Sequence, residues 1–119
     1  MTGNEYQKLA MRTAGDGDIK YLIENGVMGL NGEAGECIDL VKKWRFQGHP
    51  LDARRLMDEL GDVLWYVAIT ASGLSYSLDE IMQHNIDKLR LRYPDGFDAE
   101  RSIHREGERG DNGFGSTGR

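Results

Sequence analysis

Apolar residues along this chain recur at steps of three and four, not two. Ile23, Val27, Leu30, Ala34, Cys37, Val41 and Trp44 form one such series, which predicts an amphipathic helix over about 19–46. Leu56, Leu60, Val63, Leu64, Val67 and Ala71 form a second, predicting a helix over 52–73, and Leu78, Met82, Ile86 and Leu89 a third, over 77–92. A shorter helix is expected over 3–14, opened by Thr2-x-x-Glu5 in the pattern of a capping box; Ser77-x-x-Glu80 repeats the pattern. Asp52 is placed to cap the third segment. Stretches rich in glycine and proline, Gln47-Gly48-His49-Pro50 and Tyr93-Pro94-Asp95-Gly96, end helices. No period-two alternation persists, so the expected class is all-α.

The pattern lapses beyond Phe97, where glycine and charge replace apolar residues. The expected division is a helical domain over 1–98 and a polar tail over 99–119, with Ile103 and Phe114 its apolar anchors and Arg101 and Arg105 within its charged stretch. Glycines are frequent in the second helix. Gly26 is expected to mark a bend, while Gly29 and Gly32 leave space for a ligand or a neighbouring helix. Trp44 and Trp65 are expected in the core, and Cys37 as a buried thiol.

Composition narrows the partners. The chain has 119 residues and a net charge of −5, which argues against attraction to nucleic acid or to an anionic membrane. One cysteine supports neither a disulfide framework nor a thiolate metal cluster. No segment has the apolar length of a signal peptide or a membrane span, so a cytoplasmic protein is expected. A chain this short, with wide apolar helix faces, is expected to complete its antiparallel bundle of four main helices by oligomerisation.

The informative polar residues flank the apolar seams. Glu33 and Glu36 lie on one edge of the second helix, with Lys43 further round that side and Asp39 facing solvent. Glu59 and Asp62 flank the third helix, with Tyr66 one turn beyond Asp62. Asn85, Lys88 and Arg92 form a polar and cationic strip on the fourth. If the second and third helices pack together, four carboxylates converge, and their repulsion is relieved by protonation or by cations. Carboxylate oxygens without histidine or cysteine suit Mg²⁺, with Mn²⁺ the alternative. Tyr66 stands where it can touch a base or a bound water.

"GLNGEAGE", followed by "DELGDVLWYVA" and "HNIDKLRLRYPDGF", resembles the MazG-like nucleotide pyrophosphohydrolases of the all-α NTP pyrophosphatase superfamily, in the small single-domain form of bacteria and phages. The resemblance spans about residues 5–98. It implies Mg²⁺-dependent hydrolysis of a (deoxy)nucleoside triphosphate between the α and β phosphates, by a metal-activated water, in a nucleotide-pool or house-cleaning role. It implies that Glu33, Glu36, Glu59 and Asp62 bind metal and that Glu36 or Glu33 accepts the proton. Asn85, Lys88, Arg92 and Lys43 would hold phosphate. A homodimer or homotetramer is implied as well. The superfamily also contains dUTP/dCTP and phosphoribosyl-ATP pyrophosphohydrolases, and a non-catalytic helical interaction protein is the alternative from another class.

Overall fold

Thr2 and Glu5 open the first helix as expected. The Thr2 amide donates to Glu5 Oε1 at 2.6 Å, and the Glu5 amide to Thr2 Oγ1 at 3.0 Å. The computed structural model describes residues 1–96. Its helices are α1 (Gly3–Met11), α2 (Ile19–Phe46), α3 (Ala53–Gly73) and α4 (Leu78–Arg92), and the described residues contain no strand. The all-α class is therefore observed; residues 99–119, expected as a polar tail, lie outside the described residues. The chain divides into two compact units, Met1–Ile81 and a second that begins at Met82. No helix is long and apolar enough to cross a membrane among the described residues.

α1 stops earlier than residue 14. The amides of Arg12, Thr13 and Ala14 reach back only three residues, to Leu9, Ala10 and Met11. That tightened turn runs into Gly15 at φ 81°, a conformation glycine adopts at little cost. α2 begins at Asp18, whose carboxylate accepts from the Tyr21 amide at 2.9 Å. It ends where Gly48, at φ 74°, lets the His49 amide turn back to the Lys43 carbonyl at 3.1 Å.

α2 and α3 run antiparallel with their backbones close at the glycines. A Cβ on Gly26 would overlap the Thr70 side chain, and one on Gly29 the Tyr66 ring. From the other helix, a Cβ on Gly73 would come within 3.0 Å of Ile23 and 3.1 Å of Leu22. Gly26, within a helix that runs from Ile19 to Phe46, admits the Thr70 side chain. Overpacking costs about 1–3 kcal/mol, whereas alanine gains at most about 1 kcal/mol over glycine in a helix. Gly29→Ala should therefore lower stability in urea denaturation. Gly32→Ala, where a Cβ meets nothing within 4 Å, should be neutral or stabilising. A gain in stability from Gly29→Ala would refute the close packing of Tyr66.

The first unit has a small-residue core. Ala10, Ala68, Ala71 and Leu78 form one cluster, and Ala14, Leu22 and Ile69 a second, with Trp65 packed against both. Trp65 is part-buried and donates from Nε1 to Thr13 Oγ1 at 2.9 Å. The rest of the seams stays open: Trp44 is 44% exposed, contrary to the expected core position. Met28, Ile38, Phe46 and Met57 are also exposed, and Cys37 is only half-buried.

Gln7 fixes the start of α4 from within this unit. Its buried amide donates to Ser72 Oγ at 2.9 Å and to the Tyr76 carbonyl at 3.0 Å, while its Oε1 accepts from the Leu78 amide at 2.8 Å. Asn4 Oδ1 accepts from the Asp79 amide at 3.0 Å, and Ser77 Oγ from the Glu80 amide at 3.1 Å. The Ile81 amide turns back to the Ser77 carbonyl. The amides that the first helical turn leaves without an intrahelical acceptor are thus all satisfied.

Candidate functional site

The register set by the glycines carries a chemical consequence one turn further along. With Gly29 against Tyr66, the next turn of α2 brings Glu33 beside the turn of α3 that bears Glu59 and Asp62. Carboxylate oxygens of Glu33, Glu59 and Asp62 all lie within 4.8 Å of one another. Glu33 and Glu59 are half-buried and Asp62 is exposed. Glu36 is outside this tight group, yet near enough to act on Glu59.

Glu59 sits at the electrostatic centre. Desolvation first, then the charges of Glu33, Glu36 and Asp62, raise its pKa above the ordinary glutamate value, with only Arg55 opposing. The donor set is all oxygen and all anionic, without histidine or cysteine, which is what a hard divalent cation requires. Glu33, Glu59 and Asp62 would hold such an ion, and its charge would offset the repulsion that raises Glu59.

Basic groups lie toward the α2–α3 elbow. Lys43 Nζ pairs with Asp39 at 3.0 Å and Lys42 with the same carboxylate at 3.9 Å. Hydrogen bonding from Lys43, then the charges of Lys43, Lys42 and Arg55, lower the Asp39 pKa despite some desolvation. The Asp39 side chain is open to solvent, as expected, and from there it also engages the lysine expected to meet phosphate. Tyr66 lies with its ring over Gly29 and edge-on to Trp65 at 5.0 Å. Asn85, Lys88 and Arg92 belong to the second unit, spaced along α4 as expected.

Two groups near the acids were absent from the expected set. Arg55 precedes Glu59 by one helical turn, a spacing readable in the sequence. Tyr6, on α1, has its hydroxyl pKa raised by partial burial and then by the Asp62 charge. No local sequence signal links Tyr6 to Asp62, because only the packing of α1 on α3 joins them.

The MazG nucleotide pyrophosphohydrolase domain matches this chain over residues 23–97, a span holding every carboxylate of the site. The chain belongs to the MazG nucleotide pyrophosphohydrolase family. It is also 40% identical over 83 residues to the Gene 37 protein of Mycobacterium phage L5, an alignment covering 66% of this chain and 73% of that protein. No solved structure matches significantly. MazG membership places the chain among nucleotide pyrophosphohydrolases, with a carboxylate cluster where a divalent metal would sit.

Proposed function

We propose that this MazG-family protein hydrolyses nucleoside and deoxynucleoside triphosphates to the monophosphate and pyrophosphate, with Mg²⁺ as the working cation and Mn²⁺ as a substitute. The observation that carries this reading is the convergence of Glu33, Glu59 and Asp62 from two helices of the matched domain. When bound, the cation lowers the pKa of a coordinated water and offsets phosphate charge. Glu36, outside the tight trio, is the carboxylate left to take the proton as water attacks the α-phosphorus. The bond to the bridging oxygen then breaks, and pyrophosphate leaves. Asn85, Lys88 and Arg92 are the phosphate-binding candidates of the second unit, and Lys43, in the first, would meet phosphate by exchanging Asp39 for substrate. Tyr66, anchored over Gly29, walls the site.

Exposed Met28, Ile38, Phe46 and Met57 support assembly into a homodimer or homotetramer, since apolar surface of this kind is a liability on a monomer. Sedimentation of the full chain tests this, and a monomer at micromolar concentration would remove it. The reaction is tested with a panel of NTPs and dNTPs in Mg²⁺, scored for pyrophosphate release. Turnover of at least one, abolished by chelator, is the expected result. No turnover of any would leave the helical interaction protein as the better reading.

A further inference from the structure

The α2–α3 elbow encloses an open cavity of about 520 Å³, lined by Leu40, Lys43, His49, Pro50, Asp52 and Arg55 among others. Three of these carry basic side chains. The local acids are already engaged: Asp52 Oδ1 accepts the Arg55 amide at 3.0 Å, and Asp39 beside the cavity pairs with Lys43. The Arg55 guanidinium makes no ion pair within 4.0 Å among the described residues, although it acts on both Asp39 and Glu59. Arg55 thus lines the cavity without a close carboxylate partner, and it precedes Glu59 of the acidic cluster by one helical turn, about 5.4 Å along α3.

We infer that this elbow cavity is an anion subsite in which Arg55, His49 and Lys43 receive the pyrophosphate half of the substrate and retain it as product. The inference rests on the proposed hydrolysis, which sets an anionic leaving group beside the acids. Arg55 matches phosphate oxygens through its planar fork of donors, and His49 adds a second donor from the elbow. Lys43 contributes once it leaves Asp39. The cavity is larger than pyrophosphate needs, so ordered water completes the contacts.

Calorimetric titration of inorganic pyrophosphate into the full chain, with chelator and again with Mg²⁺, reads the subsite without any turnover. The wild type should bind in both conditions. Arg55→Ala should weaken binding at least about tenfold, and Arg55→Lys should recover part of it. His49→Gln, in the loop and outside every helix, should weaken it several-fold. Glu59→Gln should retain metal-free binding, because its carboxylate repels the anion. An unchanged Kd in Arg55→Ala, or no binding by the wild type, overturns the subsite. Triphosphate turnover with an Arg55-independent pyrophosphate Kd sinks the subsite alone. Arg55-dependent binding without turnover sinks the hydrolase reading alone.

Discussion

Glu59→Gln is expected to reduce pyrophosphate release at least about a hundredfold, the loss that follows when several kcal/mol of charge stabilisation disappear. The same substitution should make the metal-free protein more stable at neutral pH. Glu59 titrates above its ordinary value because desolvation and three neighbouring carboxylates oppose its charge. Its folded form therefore holds the proton more tightly than the unfolded chain does. Stability from this group is present below the ordinary value of about 4.3 and is lost as pH rises through the raised folded value. Glu59 should thus contribute less to the stability of the metal-free wild type at neutral pH than below the ordinary glutamate value, and Glu59→Gln should flatten that part of the melting-temperature profile. Mg²⁺ should raise the wild-type melting temperature and leave the variant nearly unmoved. Asp39 works in the opposite sense and in a separate window. Its pKa is lowered, so its contribution is present above the ordinary aspartate value and fades as pH falls through the folded one. A variant with undiminished turnover and an unaltered pH slope would show that Glu59 is an ordinary surface acid.

Gln7→Ala is expected to have the largest effect on stability, about 2–4 kcal/mol from several buried polar groups left without partners. The loss reaches the Leu78 amide, the Tyr76 carbonyl and Ser72 together, because one side chain serves all three. Against a total of about 5–15 kcal/mol for a domain, it should move the urea midpoint by about 1–2 M. Asn4→Ala removes one exposed bond to the Asp79 amide and should cost about 0.5–2 kcal/mol, as an N-cap does. A Gln7→Ala midpoint within experimental error of the wild type would mean that water replaces the amide, and that the start of α4 does not depend on α1.

Much of this was readable in the sequence, for identifiable reasons. The bounds of α2 were legible because Asp18 and Gly48 carry their signals within a few residues of the ends. The acidic pairs were legible because i, i+3 spacing fixes their face. The end of α1 was not, since the switch to shorter-range bonds after Met11 depends on the turn at Gly15. The close approach of Gly26 to Thr70 was not legible, because the two are distant in the chain. Trp44 was misread as core because periodicity identifies an apolar face without saying what covers it. Arg55 could have been found from its one-turn spacing to Glu59. Tyr6 could not.

The glycines of the site region also shape its motion. Gly32, Gly35 and Gly61 meet nothing a Cβ could touch, and they surround carboxylates that repel one another. Backbone with that little side-chain cover and that much internal strain of charge opens readily. Amide hydrogens over residues 32–38 should therefore exchange with solvent deuterium faster than those over 20–28, where Thr70, Tyr66 and Gly73 close the helix contact. Added Mg²⁺ should slow the first set and leave the second unchanged. The cation would then organise the middle of a helix as well as act in chemistry, and equal protection along the whole of α2 without metal would contradict that division.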